Sequence, residues 1–100
     1  RSPATLRLEE QFRNLEEVFA EGLEHYEAAN PSRGAWSEAR AQEVVAAKRC
    51  FTRVRDGLDA FRSAYVALSD HDPALVREAD AMGERLRPLL FAANKMSPVM

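Results

Sequence analysis

The most regular apolar pattern of the chain lies in residues Val44 to Leu68, which read VVAAKRCFTRVRDGLDAFRSAYVAL. Steps of three and four residues alternate between its apolar side chains, which are Val44, Ala47, Phe51, Val54, Leu58, Phe61, Tyr65 and Leu68. This spacing gives a helix one continuous apolar strip, as in a coiled coil. The pattern therefore predicts a long central helix over about residues 38–69, with its apolar strip buried against neighbouring helices.

Two further helices with the same alternating steps are predicted, one on each side of the central helix. The first covers about residues 5–29, and its apolar residues are Leu8, Phe12, Leu15, Phe19, Gly22, Tyr26 and Ala29. The third covers about residues 73–95, and its apolar residues are Leu75, Ala79, Met82, Leu86, Leu89 and Ala93. We expect residues 1–5 and the tail 96–100 to be loosely held.

Turn and cap signals separate the three helices. Asn30 and Pro31 end the first helix, because Pro cannot extend it. Ser37 is a typical N-cap for the second helix, and Asp72 followed by Pro73 is a strong start for the third. Because both connections are short, consecutive helices should run antiparallel. The predicted fold is all-α, an antiparallel up-down-up three-helix bundle in a single domain over residues 1–100.

Pro88 lies inside the third predicted helix. A proline in a helix interior removes one backbone hydrogen bond and clashes with the preceding turn, which costs about 3 kcal/mol in an unadapted helix. We therefore expect this helix to be kinked or broken near Pro88. In the second case a separate short helix would follow over residues 89–95.

Composition limits the classes of function. The chain is 46% apolar and 30% charged with a net charge of −2, which is typical of a soluble globular domain. No apolar run is long enough to span a membrane, and the single Cys50 excludes an internal disulfide. These features predict a cytoplasmic protein. The chain begins at Arg1 without Met, so we also expect a processed product or a piece of a longer chain. Twelve Arg against two Lys, with 17 Ala, favour a bacterial source.

Charge is unevenly distributed between the first two helices. The first carries seven Glu against two Arg, whereas Lys48, Arg55 and Arg62 form a basic strip on the second at heptad spacing. We expect Glu9 and Glu16 to lie against this strip. The other flank of the second helix is small, which allows close approach of a neighbour; its residues are Ala39, Ala46, Cys50, Gly57, Ala60, Ala64 and Ala67.

The residues that could carry chemistry are few and dispersed. His25 has only Glu21 on its helical face, His71 lies in a turn, and Cys50 has no histidine placed to serve as its base. There is no Gly-rich phosphate loop and no nucleophile motif. We therefore expect no enzyme activity, no catalytic residues, no cofactor and no metal site.

The leading hypothesis is a non-catalytic helical protein–protein interaction module, an adaptor, assembly or regulatory domain that binds a protein partner or forms a homodimer. Aromatic and aliphatic residues near two helix ends are the candidate partner-binding residues. They are Trp36, Leu89, Leu90, Phe91 and Met96. One alternative is a sensory or small-ligand-binding bundle with an internal pocket around Gly22, Gly57 and Gly83. The least favoured alternative is weak nucleic-acid binding by the basic residues of the second helix.

Overall fold

Three α-helices make up the part of the chain that the computed structural model describes, residues 1–29 and 36–96. They are α1 (Pro3–Ala28), α2 (Glu38–Val66) and α3 (Pro73–Lys95). Both α1 and α3 pack against α2. Contacts of Glu9 with Tyr65 and of His25 with Glu43 show that α1 and α2 are antiparallel. The predicted all-α, up-down-up three-helix bundle is confirmed.

The helix limits differ from the prediction at three places. α1 begins at Pro3 rather than near residue 5, and α2 ends at Val66 rather than near residue 69. α3 is one helix from Pro73 to Lys95 with Pro88 inside it, so the predicted alternative of a break there is wrong. A kink at Pro88 stays a prediction. The expected stop at Asn30 and Pro31 and the expected loose tail after Met96 lie outside the described residues.

The N-caps of α2 and α3 are the ones predicted. The Ser37 hydroxyl accepts a hydrogen bond from the backbone N–H of Arg40 at 3.2 Å. The Asp72 carboxylate accepts one from the N–H of Ala74 at 2.9 Å, next to Pro73 at the first helical position. Each cap satisfies a backbone donor that the helix leaves unpaired, which stabilises its first turn by about 1 kcal/mol.

Aromatic rings hold α1 against α2. The apolar strip of α2 is buried from Val44 to Tyr65. Ring centroids lie 5.3 Å apart between Phe12 and Phe61, and 6.0 Å apart between Phe19 and Phe51. These separations are typical of favourable aromatic pairs, which add about 0.5–1.5 kcal/mol each to the burial of their area.

Two glycines allow α1 to approach α2 closely. A Cβ on Gly22 would lie 2.7 Å from the Phe51 ring, and a Cβ on Gly57 would lie 2.6 Å from Leu15. Both distances are shorter than van der Waals contact, so only glycine fits at either position without a shift. The space left by the missing side chains is therefore filled, and the predicted internal pocket around Gly22 and Gly57 is wrong.

α3 packs against α2 through aliphatic residues, less extensively than α1 does. Its buried residues are Leu75, Ala79, Met82, Leu86 and Ala93. The third glycine, Gly83, lines an open groove between α2 and α3, and a Cβ placed there would make ordinary van der Waals contact with Leu58 Cδ1, at 4.0 Å. The bundle is therefore tight between α1 and α2 and open on one side between α2 and α3.

The first five residues are fixed, which contradicts the expectation that they fray. Ser2 caps α1, and its hydroxyl accepts a hydrogen bond from the N–H of Thr5 at 3.2 Å. Thr5 is fully buried and donates its hydroxyl to Asp70 Oδ1 at 2.5 Å. The backbone N–H of Ser2 donates to Asp70 Oδ2 at 2.9 Å. The carboxylate of Asp70 therefore ties the start of α1 to the α2–α3 connection.

Tyr65 makes a second link at the same end of the bundle. Its hydroxyl donates to Glu9 Oε2 at 2.5 Å and accepts from the N–H of Asp72 at 2.8 Å. Burial and the hydrogen bond to the Glu9 carboxylate raise the pKa of Tyr65, so the phenol stays protonated as a donor. One side chain of α2 thereby joins α1 to the beginning of α3.

Replacing Tyr65 by Phe is expected to lower the free energy of unfolding by about 1 kcal/mol. The ring and its packing stay, but the N–H of Asp72 and the carboxylate of Glu9 lose their shared partner. Urea unfolding followed by circular dichroism measures the change. Tyr26→Phe is the matched control, because the Tyr26 hydroxyl makes no hydrogen bond to any described residue. Equal losses in the two variants would contradict the link.

Asp70 is expected to make stability depend on acidic pH. Hydrogen bonds from the Thr5 hydroxyl and from the N–H of Ser2 lower the pKa of Asp70. A carboxyl whose pKa is lower in the folded state stabilises it above the unfolded value of about 3.9. That stabilisation is lost as the pH falls through the folded pKa. Asp70→Asn should therefore lower the melting temperature at about pH 7 but not at about pH 2.

Asp56→Asn is the control for Asp70, because Asp56 is exposed and, among the described residues, hydrogen-bonds only to the neighbouring Arg55. It should leave the melting temperature nearly unchanged at both pH values. If Asp70→Asn lowers the melting temperature equally at both pH values, the ionised carboxylate is not the stabilising species.

Candidate functional site

An open groove of about 590 Å³ runs between α2 and α3. Its floor is apolar where Leu58 of α2 meets Ala79 and Leu86 of α3, and Gly83 leaves a gap above Leu58. Its rim is polar. The rim residues are Arg55, Asp59, Arg62, Asp80, Glu84, Arg87 and Asn94. The close glycine contacts that join α1 to α2 have no counterpart at Gly83.

Phe91 lies at one end of this groove and is 62% exposed, the largest exposed fraction among the large apolar residues of the described chain. The ammonium of Lys95 lies 4.5 Å from the centre of its ring. Leu90 also lines the groove and is half-buried. An aromatic ring exposed beside an apolar cleft is typical of a residue that anchors an interface.

The five predicted partner-binding residues do not form one surface. Leu90 and Phe91 line the groove, whereas Leu89 and Met96 are half-buried outside it. Trp36 precedes α2 and is 43% exposed, with the guanidinium of Arg40 5.2 Å from its ring centre. The structure therefore brings together two of the predicted residues and leaves the other three apart from the groove.

The groove itself was not predicted, although three of its residues, Gly83, Leu90 and Phe91, were singled out from the sequence. The sequence indicates missing volume at Gly83, together with Gly22 and Gly57. Of these three, only Gly83 borders open space. No sequence signal separates the three glycines, because each lies on an apolar helix face. The distance between neighbouring helices decides which glycine has side-chain atoms of the next helix packed against it.

Ion pairs cross and follow the rim of the groove. Arg62 of α2 makes two hydrogen bonds to Asp80 of α3, at 2.9 and 3.3 Å. Those bonds raise the pKa of Arg62. Arg87 lies 3.6 Å from Glu84 one turn earlier on α3. All four side chains are about half-exposed or more, so solvent screens both pairs and each contributes little to stability.

The expected pairing of Glu9 and Glu16 with the basic strip of α2 is wrong. Glu9 bonds to Tyr65 and to Arg1, and Glu16 bonds to Arg13 of its own helix. The basic strip turns instead towards α3 and solvent, where Arg62 pairs with Asp80. The strip is therefore partly neutralised by α3, and this weakens the case for nucleic-acid binding.

The two histidines take part in local hydrogen bonds. His25 Nδ1 lies 2.6 Å from Glu43 Oε2, and its Nε2 lies 3.8 Å from Glu21 Oε1. His71 Nδ1 lies 2.6 Å from the carbonyl of Leu68. Within residues 1–29 and 36–96, no three His, Cys, Asp or Glu side chains are grouped closely enough to hold a metal ion.

Cys50 is half-buried on the small flank of α2, and its Cβ lies 2.9 Å from the position of a Cβ on Gly22. Burial raises the pKa of its thiol, and the carboxylate of Glu21 adds to this effect. The opposing influence of Arg53 and Arg49 is smaller. The thiol is therefore protonated at neutral pH, which is the unreactive form.

The chain was compared with protein families, curated proteins and solved structures, and nothing in any of these comparisons matches it. Over the described residues, no helix combines the length and the apolar character needed to cross a membrane. A function for the chain therefore has to be argued from its own residues.

Proposed function

We propose that the chain is a non-catalytic helical module that binds a protein through the groove between α2 and α3. The observation that carries the proposal is Phe91, 62% exposed beside an apolar floor. An exposed phenyl ring gains about 1.5–3 kcal/mol when it is removed from water. A partner that covers this ring and the floor at Leu58 and Leu86 would remove both apolar surfaces from water.

The rim of the groove suits a protein surface. Charges of both signs surround the apolar floor, which is the arrangement of a protein interface with an apolar centre and a polar edge. A groove between two packed helices can accept a third helix, provided that its apolar side chains recur in steps of three and four residues. The partner is therefore expected to present an amphipathic helix.

The cellular setting and role belong to the same proposal. A lone free cysteine, Cys50, is compatible with the reducing environment of the cytoplasm, and the Arg and Ala bias favours a bacterial source. An adaptor, assembly or regulatory domain works by contact alone, and the groove supplies a contact surface.

A capture experiment with two single-residue variants tests the proposal. The immobilised domain is used to capture proteins from a lysate as wild type, as Phe91→Glu and as Leu6→Glu. Leu6 is a suitable control because it is 53% exposed on α1, outside the groove. We expect proteins that the wild type and Leu6→Glu retain and Phe91→Glu loses at least tenfold. If no bound protein, including the chain itself, depends on Phe91, the proposal is overturned.

A small ligand is the second candidate occupant. The groove volume of about 590 Å³ falls within the range of about 300–1,000 Å³ that is usual for ligand pockets. It differs from the pocket expected from the sequence, since it is an open cleft beside Gly83 and not an interior cavity. A thermal-shift screen tests this candidate. A hit that Gly83→Leu abolishes and Gly57→Ala leaves unchanged would place the ligand in the groove.

A further inference from the structure

We propose that the occupant of the groove is a second copy of this chain. In this arrangement the two α3 helices lie side by side and antiparallel, so that Phe91 of each copy enters the gap above Gly83 of the other. The inference rests on the proposed use of the groove for protein binding, and it names the partner. Shape and charge along α3 both support it.

The complementary shapes lie on adjoining faces of α3, with Phe91 on the exposed face and Gly83 at the edge of the face that packs on α2. An exposed strip follows this helix in steps of four and three residues, and its members are Asp80, Glu84, Arg87, Phe91 and Asn94. Phe91 projects from the strip, and Gly83 leaves a gap beside it. Eight residues separate the two, which is about 12 Å along a helix. Phe91 therefore cannot fill the gap in its own chain, but an antiparallel copy brings its Phe91 to that place.

The two-fold axis of such a pair passes near Arg87, midway between Gly83 and Phe91. In this register, Phe91 of each copy lies opposite Gly83 of the other copy. The same Phe91–Gly83 contact therefore forms twice in the dimer. This is the property of an isologous dimer, in which the same surface serves both copies. The floor below each gap is Leu58 of α2, at 4.0 Å from a Cβ placed on Gly83, so an inserted ring meets apolar atoms.

Charge along the strip agrees with the same orientation. Asp80 and Glu84 make its first part acidic, Arg87 lies at its middle, and Lys95 lies next to its far end. In the antiparallel register, Lys95 of one copy comes within a helical turn of Asp80 of the other. The two Arg87 side chains meet at the two-fold axis, where the Glu84 carboxylates of both copies lie within a turn and offset their repulsion. A parallel pair would place acid against acid and base against base, which disfavours it.

Molecular mass in solution gives the first test. Sedimentation equilibrium over about 1 µM to 1 mM should show a concentration-dependent shift from the chain mass of 11.2 kDa to twice that value. Phe91→Glu should remain at 11.2 kDa, whereas Leu6→Glu should dimerise like the wild type. Circular dichroism verifies that each variant is folded. A wild type that stays monomeric throughout overturns the inference, and so does a dimer that Phe91→Glu leaves intact.

Charge reversal tests the orientation. Glu84→Arg and Arg87→Glu should each raise the dissociation constant of the dimer at least tenfold, since each leaves four charges of one sign around the two-fold axis in place of two acids and two bases. The double variant restores opposite charges within and between chains, so its dissociation constant should return to within about threefold of the wild-type value. Failure of the double variant to recover would overturn the antiparallel register.

Disulfide trapping tests the predicted contact directly. The native thiol is first removed by Cys50→Ala, and then Gly83→Cys and Phe91→Cys proteins are prepared separately. Mixing and oxidising them should give a cross-linked dimer. Neither protein should cross-link with itself, because equivalent positions lie about 12 Å apart along the pair and a disulfide needs Cα atoms within about 7 Å. Self-cross-linking of Phe91→Cys at the same rate would overturn the register.

The outcomes separate this inference from the proposed function. If the wild type is monomeric and another protein still binds in a Phe91-dependent way, the self-association is wrong and the proposed function stands. If the wild type is monomeric and nothing depends on Phe91, both are wrong.

Discussion

Phe51→Ala is expected to lower the free energy of unfolding by about 3–5 kcal/mol. Phe51 is fully buried, and its ring lies 6.0 Å from the ring of Phe19 and 6.1 Å from that of Tyr26. Opposite it stands Gly22, which has no side chain to move into the vacated space. The cavity therefore stays largely empty, and the loss is about a fifth or more of the roughly 5–15 kcal/mol that stabilises a domain.

Phe91→Ala is the matched control, because it makes the same chemical change where the ring is 62% exposed. Its effect should stay within about 0.5 kcal/mol. Both variants are compared by urea unfolding at a protein concentration of about 1 µM, where self-association contributes little. Equal losses in the two variants would show that Phe51 is not at the centre of the α1–α2 interface.

The sequence was sufficient to predict the helices and most of the core. Alternating steps of three and four residues placed the apolar strip from Val44 to Tyr65 correctly on the buried face of α2. Capping signals at Ser37 and Asp72 correctly predicted where α2 and α3 begin, since an N-cap involves only residues within one turn. Local pattern therefore determined which segments are helical and which face each one buries.

The start of α1 was predicted too late, although a signal was present. Ser2 followed by Pro3 is the same type of cap as Asp72 followed by Pro73, and both begin a helix in the structure. The bond between Thr5 and Asp70 has no comparable signal, because the two residues are 65 positions apart. Only the relative placement of two helices brings a buried hydroxyl to that carboxylate.

The error in pairing the charges of α1 and α2 has a clear physical cause. Complementary charges suggested that Glu9 and Glu16 face the basic strip, but exposed ion pairs contribute only about 0–1 kcal/mol each. The rotation of α1 on α2 is determined instead by the close fit of Gly22 against Phe51 and of Gly57 against Leu15. Where packing and surface charge prefer different arrangements, packing has the larger energy.

The candidate site could be predicted only in part, because its groove depends on how the helices pack against one another. The position of Phe91 outside the apolar strip of α3 indicates a surface anchor from sequence alone. The groove beside it depends on how far α3 stands from α2, which no local pattern reports. Gly83 lines this groove and has room for a Cβ, with Leu58 Cδ1 at the contact distance of 4.0 Å.

Gly22→Ala and Gly83→Ala are therefore expected to change stability in opposite directions. Replacing a helical glycine by alanine removes a backbone penalty of about 1 kcal/mol at either position. At Gly22 the new Cβ would lie 2.7 Å from Phe51 Cε1 and 2.9 Å from Cys50 Cβ, and overpacking of this kind costs about 1–3 kcal/mol or more. At Gly83 the nearest heavy atom would lie 4.0 Å from the new Cβ, which is ordinary contact. The full stabilisation of about 1 kcal/mol is therefore retained there.

The two variants should differ by about 1–3 kcal/mol or more in the free energy of unfolding, which is the overpacking cost at Gly22, with Gly22→Ala less stable than the parent and Gly83→Ala more stable. Urea unfolding measures the difference, with Phe91→Glu as the parent so that no dimer contributes. Gly57→Ala should fall between them, because its clash is with the end of the Leu15 side chain, at 2.6 Å, and that side chain can rotate away. If Gly22→Ala stabilises the chain as much as Gly83→Ala does, α1 is not held close to α2. The contrast between a tight α1–α2 interface and an open groove at α3 would then be lost, and with it the physical reason for a docking surface.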